Sequence, residues 1–141
     1  MSPAALIPAL LALLLPVSGS AGSDPEEIDF ARLSDFDYVE GMTLPKHVTT
    51  LDDKTITISG FMRREFDGTG PVEYFMLIND ACGCDGTPFL NEVLFCTMPE
   101  GETVEIEPGI VSVTGRFYAG ETKEDGYVVS LYDMDVDSIG D

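Results

Sequence analysis

The sequence predicts an all-β domain: a small OB-like, partly closed barrel of about six strands, with short N-terminal helical segments ahead of it. From Thr55 onward polar and apolar side chains alternate with period two, and Asp-Gly and Gly-Pro pairs interrupt the alternation at intervals suited to turns. Two of the predicted strands also carry an interior glycine, the device by which a strand coils or bulges around a small barrel. A two-sheet β-sandwich is the alternative packing of the same strands.

The chain opens on an apolar run from Leu6 to Val17, broken only by Pro8 and Pro16 and followed by Ser18, Gly19, Ser20 and Ala21. Such a core ending in small residues predicts a signal peptide over residues 1–21. The run is shorter than the roughly 20 apolar residues a membrane span needs, so no stable membrane anchor is expected after its removal. The expected location is periplasmic or secreted. Cleavage after Ala21 would leave a mature chain of about 120 residues, the size of one domain.

Residues 22–50 read as an acidic leader with short helices. Asp24-Pro25-Glu26-Glu27 has the chemistry of a helix start, with a capping Asp, a Pro at the first position and acids near the positive end of the dipole. A second short helix is predicted over Pro45 to Leu51, where Val48 and Leu51 fall one turn apart.

Residues 51–141 are the predicted barrel. Ile56 and Ile58 alternate with Thr55, Thr57 and Ser59; Gly60 interrupts this strand and Phe61-Met62 continue it. A turn at Asp67-Gly68 and Gly70-Pro71 leads into Tyr74–Ile78, apolar on both faces and therefore expected to be covered on both. Asn79–Pro88 is a loop, and Glu92–Met98 is a second apolar strand. Thr103–Glu107 alternates again, with Val104 and Ile106 inward. Ile110–Tyr118 and Tyr127–Val136 form the last pair, joined by the hairpin signal Asp125-Gly126. Ile58-Ser59-Gly60 is echoed by Val113-Thr114-Gly115.

The ordered set Leu44-Pro45, Gly60-Phe61-Met62, Ala81-Cys82-Gly83-Cys84, Pro88, Asn91 and Val113-Thr114-Gly115 resembles a family of exported bacterial proteins known only as a domain of unknown function. The resemblance runs over residues 28–139. It implies an exported β domain, sometimes associated with transporter or export systems, and it supplies no catalytic residues.

The concentrated chemistry lies in the cysteines. In an oxidising compartment, a disulfide joining two of Cys82, Cys84 and Cys96 is the leading expectation. Closing either loop cysteine onto Cys96 would enclose about 15 residues, worth about 3 kcal/mol in the chain-entropy picture. The alternatives are a soft-metal site for zinc or copper on Cys82, Cys84 and Cys96, with His47 as a fourth ligand, and plain buried or loop thiols. Asp80 and Asp85 flank the Cys-Gly-Cys pair and disfavour thiolate, which argues against exchange-active redox chemistry.

Asp133, Asp135 and Asp137 begin like an EF-hand loop but lack the glycine at position six and the distal Glu, so they read as the wet face of a strand. Arg63-Arg64 is the one basic pair, able to receive an anion or to offset Glu65. The lone histidine, His47, has no nucleophile elbow beside it. Phosphate-loop, dinucleotide and zincin patterns are absent from the sequence. Seven basic against 26 acidic residues leave a net charge of −19, which repels nucleic acid and anionic lipid. The sequence thus predicts a non-enzymatic interaction or accessory module with a protein partner and no required cofactor. A periplasmic metal-binding accessory protein is the second reading.

Overall fold

The computed structural model describes residues 24–79 and 86–140. The expected signal peptide, Cys82 and Cys84 lie outside the described residues. Among those residues no helix is long and apolar enough to cross a membrane.

Alternation dictates the wall. Strand β2, Lys54–Arg64, turns Ile56, Ile58 and Met62 inward and Thr55, Ser59, Phe61 and Arg63 outward. Strands β3 (Tyr74–Ile78) and β4 (Val93–Thr97) continue the pattern, with Phe75, Leu77, Leu94 and Cys96 inward. Strands β5 (Ile110–Glu124) and β6 (Tyr127–Gly140) complete it with Val113, Phe117, Tyr132, Met134 and Val136. Asp125 and Gly126, with φ of 51° and 83°, make the turn between them. Two consecutive positive-φ residues are what a two-residue primed hairpin turn requires.

The pairings close on themselves in the order β2-β3-β4-β6-β5-β2, antiparallel except for a parallel β4–β6 contact of three residue pairs. One ring of strands, thinly closed between β4 and β6, is the OB-like arrangement rather than two stacked sheets. Gly60 and Gly115 permit the closure. At Gly60 a Cβ would meet the Ile78 carbonyl oxygen at 2.7 Å and the Phe30 ring at 2.8 Å, and at Gly115 it would overlap the Asp135 carbonyl oxygen. The β5–β6 register also shifts between Thr114 and Gly115.

The acidic segment differs from expectation. No helix starts at Asp24. Glu26–Ile28 forms a short strand, β1, parallel to Ile56–Ile58 of β2, and the helix α1 spans Phe30–Ser34 with Asp29 as its cap. The Asp29 carboxylate accepts from the Arg32 amide at 3.2 Å. Pairing on β2 satisfies the backbone of Glu26–Ile28 and buries Ile28, which a helix beginning at Pro25 would forgo. The second helix, α2, falls where predicted, at Lys46–Thr49, with Val48 and Leu51 fully buried.

Together α1 and α2 plug the barrel. Phe30, Leu33, Val48 and Leu51 join the strand residues in one core, and the Tyr132 hydroxyl donates to the Leu33 carbonyl at 2.6 Å. Each fully buried Leu, Ile or Phe contributes about 1.5–3 kcal/mol relative to exposure. Ile28, Phe30, Leu33 and Val48 of the segment ahead of β2 therefore share the barrel's interior.

Thr103–Glu107, expected as a strand, is irregular apart from one bridge between Val104 and Val72. Its partner Val72 is itself an isolated bridge residue, so no ladder can extend from it.

Candidate functional site

The outer surface of β2, β3 and β4 carries the site. Residues facing each other across the strands line up in rows. The first runs Ile110, Phe61, Ile78 and Val93. The second runs Arg63, Met76, Phe95 and Asp133. Ile78 and Val93 point outward yet are almost fully buried, because the chain from Gly86 to Leu90 folds back over them. The expected double cover of Tyr74–Ile78 thus holds at its Ile78 end, with core on one side and this segment on the other, whereas Tyr74 on the same outward face is exposed.

Between that segment and the sheet lies a cleft with two adjoining lobes. The larger, about 490 Å³, is walled by Met76, Ile78, Leu90, Val93 and Phe95. The smaller, about 270 Å³, lies toward α1 and presents Ser34, Asn79, Thr87 and Glu92 beside Phe30. Arg63 borders both lobes. Among the described residues it has no ion-pair partner, whereas Arg32 pairs with Glu26 at 2.5 Å and Arg116 with Asp53 at 2.7 Å. Its neighbour Arg64 is spent on the Gly70 carbonyl.

Asp133 closes the second row at its far end. Burial holds its carboxyl above the usual range, the Ser130 hydroxyl at 2.9 Å opposes that, and the Asp135 charge adds to it. Arg63 and Asp133 stand three strand spacings apart, about 14 Å at roughly 4.8 Å each, too far to neutralise one another. Asp135 and Asp137 are exposed on the wet face of β6, as the alternation predicted.

The structure does not gather the sequence-derived metal ligands that it describes. Cys96 is a free thiol 1 % exposed in the barrel core, and burial followed by the Asp133 charge pushes its pKa up. His47 lies on α2 at the surface, where its Nε2 meets the Asp35 carboxylate at 2.7 Å. Among the described residues no three His, Cys, Asp or Glu side chains come together to hold a metal ion. Sequence reasoning named Arg63 as an anion receiver, but it missed Met76, Phe95 and Glu92. Their outward alternation was legible, but their convergence depends on strand register and on the path of residues 86–90.

The closed strand order and the parallel β4–β6 contact define the class: an OB-like β domain with an apolar cleft on the outer face of β2, β3 and β4, bordered among the described residues by one cation, Arg63. Among solved structures, the chain is similar to a DUF3299 family protein from Pseudomonas aeruginosa. The two align with a TM-score of 0.57 and 17% identity over 84% of this chain and 96% of the other. At that identity the likeness concerns the fold, and the neighbour itself bears a domain-of-unknown-function name. A Leishmania major protein described as a putative aspartyl-tRNA synthetase aligns at TM-score 0.42 and 15% identity, over 88% of this chain and 22% of its own. That likeness is too weak to bear on the fold. No protein-family model and no curated protein matches the chain.

Proposed function

We propose that the protein is an exported, non-enzymatic interaction module that contacts a protein partner through the outer face of β2, β3 and β4. The observation that carries the reading is the pair of rows centred on Phe61, Met76 and Phe95, apolar side chains on the wall that OB barrels use for ligands. An acidic surface around them excludes wrong partners by repulsion and leaves the apolar patch to supply affinity. Export rests on residues 1–21, and association with a transporter or export system rests on the sequence resemblance.

A photo-crosslinking residue placed at Met76 should yield a defined partner adduct in cells, and the same residue at Thr55, outward on the far half of β2, should not. Equal adducts from both positions, or none from Met76, would sink the reading. A Phe95→Asp change should abolish the Met76 adduct while leaving the circular dichroism spectrum unchanged.

The metal-accessory reading rests on the Cys82-Gly83-Cys84 spacing. Metal analysis and thiol counting of the processed protein decide it. Stoichiometric zinc or copper, lost on Cys82→Ser, would support it, whereas a disulfide between Cys82 and Cys84 with no bound metal would remove it.

A further inference from the structure

The two lobes of the cleft differ in chemistry, and that difference selects a ligand. The larger lobe is walled by aliphatic, thioether and aromatic side chains and has room for one or two apolar side chains. The smaller lobe offers both signs of hydrogen-bonding group. Arg63 and the Asn79 amide donate; the Glu92 carboxylate, the Ser34 hydroxyl and the Thr87 hydroxyl accept. Among the described residues, Glu92 spends one oxygen, on the Phe89 amide at 3.3 Å, and the Ser34 hydroxyl donates to the Phe30 carbonyl and accepts from no other group. Arg63 stands at the junction of the lobes. A guanidinium with apolar walls around it is suited to a carboxylate, which it can grip with two parallel bonds.

We infer that this cleft receives the carboxyl-terminal end of an apolar peptide. The terminal carboxylate lies on Arg63, the last amide N–H faces Glu92 and the final side chains fill the lobe of Met76, Leu90 and Phe95. Charge complementarity fixes the occupant. A polyanion would meet one cation on a domain of net charge −19 and be repelled by the rest, whereas a single carboxylate is neutralised locally. A simple fatty acid would satisfy Arg63 but bring no donor to the second oxygen of Glu92, and a peptide end carries both groups. The assignment rests on this face being the proposed partner surface, and it narrows that partner to a protein with an apolar C-terminus.

Fluorescence anisotropy with an N-terminally labelled tripeptide ending in two leucines tests it on the processed protein. Saturable binding is expected, at least tenfold weaker for the same peptide with a C-terminal amide and at least tenfold weaker for the Arg63→Gln protein. Glu92→Gln should weaken binding severalfold, and decanoate should compete poorly. Absence of saturable binding, equal binding of acid and amide, or decanoate competing as well as the peptide would overturn the assignment. If Phe95→Asp abolished the crosslink to the cellular partner while Arg63→Gln preserved it, the carboxylate assignment would fail alone and the partner surface would stand.

Discussion

At Gly115 the space for a Cβ is taken by the Asp135 carbonyl, and at Gly60 by that of Ile78. Neither contact can be relieved by swinging a flexible side chain, because backbone is what blocks it. Gly115→Ala should therefore cost about 3 kcal/mol and Gly60→Ala about 2 kcal/mol in urea unfolding. Gly140→Ala, with open space around the same atom, should stay within about 0.5 kcal/mol of the parent. The sequence marked both interior glycines as places where a strand must bend, since each interrupts an alternating run. That their role is close approach to a neighbouring strand was beyond it, because the neighbour is fixed only by register. Cys96 teaches a similar lesson. Spacing alone made it a partner for Cys82 or Cys84, but its position on the inward side of β4 puts the sulfur among core side chains. It should react with Ellman's reagent only as the barrel unfolds, and fast labelling of Cys96 in native protein would contradict that placement.

Several side chains clasp the segment ahead of the barrel onto the β5–β6 hairpin. The Glu121 carboxylate accepts from the Tyr38 hydroxyl at 2.7 Å and from the Gly41 amide at 2.5 Å, and Asp52 accepts from the Ala119 amide at 2.9 Å. The Gly41 and Tyr38 bonds hold Glu121 below the ordinary carboxylate range. Its contribution to stability is thus present above the unfolded-state pKa and disappears as pH falls through the lower folded value. Glu121→Gln should unfold at lower urea than the parent at pH 7, and the difference should shrink as pH falls below the ordinary carboxylate range. Tyr38 shows the opposite linkage: burial, then the Glu121 bond, push it up to about 12. Its contribution is complete below the unfolded pKa of about 10 and lost as pH climbs through the folded value, so Tyr38→Phe should flatten the alkaline limb of a pH–stability curve. None of this clasp was legible beforehand, because its pairs lie 67 to 83 residues apart in sequence and two of the three bonds come from backbone amides. The helix α2 was legible, since Val48 and Leu51 are spaced by one turn. The strand β1 was not, because three residues with one inward Ile28 carry no measurable period.

For the molecule as a whole, 26 acidic residues on a single small domain produce strong self-repulsion. Raising sodium chloride from about 10 mM to about 500 mM should shift the urea midpoint upward, since the Debye length then falls from roughly 30 Å to less than about 5 Å. A midpoint insensitive to salt would mean that the charges are already neutralised by bound cations. Labelled single-stranded DNA should show no saturable binding at physiological salt, where an OB barrel built for nucleic acid would bind through basic and stacking residues. The all-β architecture was readable because period-two alternation survives at the scale of five or more residues, and the hairpin because Asp125-Gly126 adopts its turn almost independently of context. The cleft was not, because it is assembled from three strands and a returning segment whose mutual placement no local pattern encodes.

The three residues of β1 lie on the flank of β2 that β3 is too short to reach, since β3 pairs only with Phe61–Arg64. Removing residues up to Ile28 would bare the amides and carbonyls of Ile56–Ile58 along that flank, a ready template for a strand from another molecule. A shortened version should consequently self-associate on a sizing column as its concentration rises, and a synthetic peptide copying Glu26–Ile28 with its neighbours should restore the parent elution volume. The segment Glu26–Ile28 would then serve as a built-in guard against sticking to copies of itself.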